Sequence, residues 1–136
     1  MVLIEWKEEF ETGVVKIDEQ HKELMRLINE VHVEMLKGKE KSSLIILFEE
    51  LFNYVIIHFA TEEQMMKKYR YEEFENHQKQ HIKLKEKMLK KKIDYEEKKI
   101  TLSMQIMILL KDWLQNHILE TDLKFAEYMK LNRSEK

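Results

Sequence analysis

Six histidines in a chain that has no cysteine decide what chemistry this sequence can perform. Disulfides, iron–sulfur clusters and thiolate zinc sites are excluded, so any metal has to be held by imidazole and carboxylate. His58 and Glu62 stand four residues apart, as do His77 and His81. Four residues of α-helix rotate by about 400°, so each pair projects from one face and can grip one ion. Between the pairs lies Arg70–Phe74, RYEEF. This polar and aromatic interruption has the length of an αα-hairpin turn, which would set the two pairs facing each other near the closed end of the hairpin.

The elements that must carry these pairs are helices. The chain has 136 residues with no Pro and only two Gly, and Glu, Lys, Leu, Ile and Met are strong helix formers. One domain over 1–136 is long enough to bury a core. A formal net charge of −2 with mixed Lys and Glu leaves no basic footprint for nucleic acid. The opening MVLIEW lacks the basic start of a signal peptide, and no run of 18 consecutive apolar residues is present. The expectation is a soluble, cytoplasmic chain without membrane insertion.

Residues 1–17 hold Trp6, Phe10, Val14, Val15 and Ile17 without a helical period, as an extended arm would. Asp18 is the expected N-cap of a first helix over about 18–37, with His21, Leu24, Ile28, Val31 and Met35 inward and Gly38 as the residue that ends it. Ser42 or Ser43 caps a second helix, about 42–69, with the stripe Leu44, Leu47, Leu51, Val55, His58, Glu62 and Met65. A third, about 72–92, turns Phe74, His77, His81, Leu84 and Met88 inward and leaves Lys85–Lys92 mostly to solvent. A fourth, about 97–119, reads Leu102, Ile106, Leu109, Trp113 and His117, and a short terminal helix occupies about 121–131. The fold class is all-α: an antiparallel up-down-up-down four-helix bundle with an N-terminal arm.

Five of the six histidines therefore fall on core positions, with Glu62 and Asp122 among them. His32 is the exception: it lies roughly 16 Å along the helix from His21 and reads as a satisfied or half-exposed boundary residue. Any one of the five alone is an ordinary core histidine. Burying all of them without partners would cost several kcal/mol per charged group, and a metal that takes neutral imidazoles and ionised carboxylates removes that cost. Seven ligands exceed one tetrahedral zinc and suit two six-coordinate ions sharing two bridging carboxylates. One irregularity stands out. His117 and Asp122 are five apart, about 140° around an ideal helix, so a bulge, break or wide turn is expected at Ile118–Thr121.

Taken together, His21 in DEQHKEL, His58 and Glu62 in HFATE, His77 and His81 in HQKQH, and His117 and Asp122 in WLQNHILETD resemble the ligand set of the hemerythrin family, in its single-domain bacterial and archaeal form. The resemblance covers nearly the whole chain. It implies that His77, His81 and His117 bind one iron and His21 and His58 the other, with Glu62, Asp122 and an oxo or hydroxo group as bridges. It also implies that Leu24, Phe59, Trp113, Leu114 and Ile118 form an apolar pocket for dioxygen. The function expected from it is reversible dioxygen binding by a monomer, for transport, storage or delivery to an oxygen-consuming enzyme. The alternatives are an oxygen or redox sensor acting through a partner, or a di-iron oxidase or peroxidase. The sequence contains no Glu-x-x-His, the pair that carboxylate-rich di-iron bundles use.

Overall fold

The computed structural model describes residues 3–38, 40–97 and 104–133. Four helices form the bundle: α1 (Val15–Leu36), α2 (Lys41–Lys68), α3 (Phe74–Glu96) and α4 (Met104–Asn116). A π-helical segment, His117–Asp122, joins α4 without a break to α5 (Leu123–Arg133). No strand occurs among the described residues. Helix α1 packs on α2 and α4, and α2 packs on α3.

The core has two apolar layers with polar residues between them. The larger holds Leu24, Ile28, Val31, Leu51, Phe59 and Leu114, and the smaller, toward the α2–α3 turn, holds Ile17, Met66, Tyr71, Phe125 and Met129. Along α1, His21 separates Ile17 from Leu24; along α2, Glu62 separates Phe59 from Met66; and Asp122 separates Ile118 from Phe125. The candidate ligands thus occupy one slice, closed above and below by hydrocarbon.

Several local expectations are corrected. Asp18 is not the N-cap: α1 begins at Val15, after Val14. The Asp18 carboxylate instead accepts hydrogen bonds from Thr12 N–H (2.9 Å), the Thr12 hydroxyl (2.7 Å) and Gly13 N–H (3.2 Å), tying down the chain that enters the helix. Neither serine caps α2, which starts at Lys41 after Glu40. The arm is not extended throughout, because Glu8–Phe10 forms a 3-10 turn. Asn29 holds the arm's start, accepting from Leu3 and Ile4 N–H at 2.9 Å and donating to the Ile4 carbonyl at 2.8 Å. Helix α3 runs on to Glu96, with Tyr95 buried beneath the Lys41 ammonium, 4.9 Å from its ring centre. Leu47 and Met65 sit at the edge of the α2 stripe, and Phe48 and Met66 are buried in their place. Among the described side chains the inward apolar positions are Met107, Leu110 and Leu114 of α4 and Ile118 of the π segment, while Leu109 is half exposed. The expected stripe through Leu109 and Trp113 is thus one residue out of phase with the buried Leu110 and Leu114. Leu102 and the side chain of Ile106 lie outside the described residues.

By length and composition α2 is apolar enough to cross a membrane. Its inward face carries His58 and Glu62, both fully buried, while Ile46, Ile56 and Ile57 of the same helix are exposed.

Helix α2 ends in a Schellman motif. Tyr71 N–H donates to the Met66 carbonyl at 2.9 Å and Arg70 N–H to that of Lys67 at 3.2 Å. Arg70 pays for this with a left-handed φ of 54°, a conformation that costs an L-residue about 1–2 kcal/mol. Arg70→Gly should therefore raise stability by up to about 1 kcal/mol after glycine's extra unfolded-state entropy is deducted. A higher urea midpoint at unchanged slope is the expected observation.

Candidate metal centre

All seven ligand-type side chains named from the sequence converge in the slice between the apolar layers, and each is at most 4% exposed. Each helix of the bundle has a reason to deliver its share. His21 and His58 take core positions of α1 and α2, Glu62 follows His58 by one turn, and His77 and His81 are one turn apart on α3. The remaining pair depends on the π segment. A π turn is closed by i→i+5 hydrogen bonds, so residues five apart share a face, and the segment His117–Asp122 spans just this pair. Of the bulge, break or wide turn expected at Ile118–Thr121, the structure has the wide turn, within a continuous helix.

The carboxylates occupy the middle. Asp122 Oδ2 lies 2.7 Å from His21 Nε2 and 3.6 Å from His58 Nε2, while its Oδ1 lies 3.2 Å from His77 Nε2 and 3.0 Å from His117 Nε2. Glu62 Oε1 lies 3.2, 3.4 and 3.1 Å from Nε2 of His58, His81 and His117. Two overlapping ligand groups result: Glu62, His77, His81 and His117, and His21, His58, Glu62 and Asp122. Glu62 belongs to both, and Asp122 reaches the first group through its second oxygen.

Hydrogen bonds behind the ligands set their tautomers. His58 Nδ1 stands 2.8 Å from Gln20 Oε1, and the Gln20 amide nitrogen donates to the Thr61 hydroxyl at 3.1 Å. His81 Nδ1 stands 2.8 Å from Glu63 Oε2, whose other oxygen accepts from Gln78 at 3.1 Å. His117 Nδ1 stands 3.0 Å from the Thr121 hydroxyl oxygen, and that hydroxyl donates to the His117 carbonyl. A carboxylate or amide oxygen can only accept, so Nδ1 of His58 and His81 carries the proton and Nε2 points inward as a bare lone pair. His58 Nε2, His81 Nε2 and Glu62 Oε2 are buried without a hydrogen-bond partner. Orphaned lone pairs aimed at a common centre are costly in a protein interior and are what cations bind. The donor set fits a metal of imidazole and carboxylate preference.

Sequence spacing missed Gln20, Glu63 and Thr121. Each is a polar neighbour in sequence of a ligand, which is a usable signal, but Gln20 of α1 serves a histidine of α2 and Glu63 of α2 serves one of α3. Only helix pairing reveals that. His32 also differs from expectation: it is buried at 2% exposure, with no hydrogen-bond partner on either ring nitrogen.

Electrostatics sort the ligands. Burial pushes His58 down to about 4 and His81 down to about 2, so both are neutral at pH 7 and ready to bind. Burial also opposes charge on His117, but Asp122 and Glu62 outweigh it and hold this imidazole up at about 10. Burial, reinforced by Asp122, raises the Glu62 carboxyl well above its ordinary range. Asp122 stays well below its ordinary range, because His117 and its hydrogen bonds overcome the burial cost. At pH 7 the metal-free chain thus retains protons that a cation must displace, and affinity should rise with pH toward 10. Calorimetry of metal uptake in buffers of different ionisation enthalpy should show proton release, with His117 as its first source.

Two of the residues expected to wall the site, Phe59 and Trp113, lie against ligand rings. Phe59 stacks on His81 with ring centres 3.8 Å apart and planes at 2°, and Trp113 stacks on His117 at 4.9 Å and 15°. Leu24, Leu114 and Ile118 are buried in the same apolar layer as Phe59, and Trp113 packs against it.

Comparison with known proteins agrees with this arrangement. The family model of the hemerythrin HHE cation-binding domain matches residues 12–129. The chain is 29% identical to a bacteriohemerythrin of Pseudomonas aeruginosa over 135 residues, 99% of this chain and 87% of that one. It is 31% identical to a bacteriohemerythrin of Clostridium acetobutylicum, covering 90% and 98% of the two chains. A myohemerythrin of Theromyzon tessulatum is 32% identical, with 89% of each chain covered. Among solved structures, a wild-type hemerythrin superposes with a TM-score of 0.87 at 28% identity, over 92% of this chain and 96% of that one. A bundle with this slice of ligands, matched by the family model over nearly all of its length, belongs to the hemerythrin family.

Proposed function

We propose that this protein binds dioxygen reversibly at a di-iron centre held by His21, His58, Glu62, His77, His81, His117 and Asp122. In this reading it is a soluble, cytoplasmic monomer that carries, stores or delivers oxygen to an oxygen-consuming enzyme. The observation that carries the proposal is the pair of overlapping ligand groups with inward orphan atoms. Two ferrous ions would supply the redox chemistry of oxygen binding. The chain supplies the rest. Five neutral imidazoles and two carboxylates make a weakly anionic donor set, which favours high-valent iron less than a carboxylate-rich one does. With Asp122 shared between the groups, the side with His21 and His58 would offer one imidazole fewer than the side with His77, His81 and His117, which would leave room there for a small ligand. Leu24, Phe59, Leu114 and Ile118, each at most 1% exposed, keep water and protons away from it and place no acid or base there for further chemistry.

The test is to load the chain with Fe(II) under argon, admit air, record the visible spectrum and purge. A carrier returns to the starting spectrum over repeated cycles with two irons per chain. One metal per chain, or consumption of reductant with release of peroxide or an oxidised product in each cycle, would overturn the proposal and favour an oxidase. Leu114→Ala probes the wall directly. It should keep the iron, lose about 2–5 kcal/mol of stability, and autoxidise faster as water enters. Autoxidation at the wild-type rate would remove Leu114 from the wall.

A further inference from the structure

The lysine strip of α3 and the tryptophan beside the ligands, Trp113, meet in one groove. Between α3 and α4 two hollows adjoin, one of about 350 Å³ and one of about 80 Å³, and they share Leu84, Lys87 and Trp113 as lining. The smaller is apolar, floored by Met88 and Leu110. The larger reaches His117 itself. Lys83, Lys87 and Lys91 recur every fourth residue, so one ridge of α3 carries a cation at each turn along the groove. All three are exposed, and among the described residues none pairs with an acid, whereas Lys92 does so with Glu49 at 3.1 Å. Glu120 is the one acid lining either hollow. In a chain of net charge −2 this is a local separation of charge.

Trp113 connects that surface to the centre. Its ring lines both hollows and stacks on the His117 imidazole at 4.9 Å and 15°, and His117 Nε2 faces Glu62 and Asp122. Stacked π systems couple electronically better than saturated side chains, and no other tryptophan contacts a ligand ring among the described residues. An oxygen-binding iron centre that oxidises to the ferric state needs electrons to become useful again, and ligands at most 4% exposed give a protein donor no direct contact with it.

We propose that the α3–α4 groove docks an acidic one-electron carrier protein, whose electrons pass through Trp113 and His117 to restore the ferrous centre. Two carrier molecules each lose one electron, two ferric ions each gain one, solvent protons compensate the charge, and no bond in the protein forms or breaks. The inference rests on the di-iron reading for its redox half and on the groove alone for its docking half. Charge selects the partner class: a row of cations around an apolar floor attracts an acidic surface with an apolar centre.

Flavodoxin, an acidic one-electron carrier, serves as the probe against the iron-loaded chain. Oxidised flavodoxin should bind in calorimetric titrations, more weakly as salt rises. Hydroquinone flavodoxin should reduce the air-oxidised chain in stopped flow. Charge reversal at Lys83, Lys87 and Lys91 should lower binding and the second-order rate by about tenfold or more, and should not slow reduction by reduced methyl viologen, a small cation. The corresponding Lys→Gln variants, which keep the helix intact, should fall between. Trp113→Leu should slow the first-order step at saturating flavodoxin. Binding or reduction insensitive to the three charges overturns the docking site. An unchanged saturated rate in Trp113→Leu overturns the relay. Sedimentation showing a dimer that dissociates on charge reversal assigns the groove to a second copy and overturns the proposal. Failure to hold two irons, with flavodoxin binding still lysine-dependent, refutes the di-iron reading and with it the redox half, leaving docking alone.

Discussion

Removing metal from the folded chain is expected to lower its melting temperature by on the order of 15 °C. Seven ligand side chains lie in one buried slice, and the apolar layers on either side close around them. A cation that binds this state and not the unfolded chain stabilises it by mass action, about 2.7 kcal/mol when free metal is a hundredfold above its dissociation constant, and roughly twice that for two ions. In a domain of this size each kcal/mol moves the melting point by a few degrees. The orphan atoms of His58, His81 and Glu62 account for the sign, because without a cation they are desolvated with nothing in return. The measurement is calorimetry before and after chelation, with iron restored afterwards to show reversibility. Equal melting temperatures would mean that the slice is held by its own hydrogen bonds and that metal is incidental.

Asp122→Asn should have the second largest effect, and it should strike both ligand groups at once. The two oxygens of Asp122 lie between His21 and His58 on one side and His77 and His117 on the other, so an amide there removes one negative charge from both. If the centre holds two ions as proposed, metal content is expected to fall from two per chain to less than one. His77→Ala, by contrast, should impair the group on the three-histidine side first. In the metal-free chain Asp122 also holds the His117 imidazole charged against its burial, and breaking such a buried pair typically costs 3–5 kcal/mol. Metal analysis together with urea unfolding of the metal-free variant separates the two losses. A variant that keeps two metals would exclude Asp122 as a bridge.

The sequence by itself determined the fold class and the identity of the ligand-type residues. Both are periodic properties: helix formers with 3-4 apolar spacing make a bundle, and His58, Glu62, His77 and His81 lie at multiples of one helical turn along its inward stripes. Even the His117–Asp122 misfit was legible, because a spacing of five cannot share a face in an α-helix. Whether the chain would break or widen there was not legible, since a π turn and a loop satisfy the same spacing. Tertiary structure alone decided the rest. The phase of α4, with Leu110 inward and Leu109 outward, depended on how the helix is rotated against its neighbours. Gln20 and Glu63 became part of the site only when α1 was paired with α2 and α2 with α3, because each orients a histidine on a neighbouring helix. Local spacing records which face a residue shares with its own helix; which groups of another helix it meets depends on the register between helices, and that is settled by how the whole core packs.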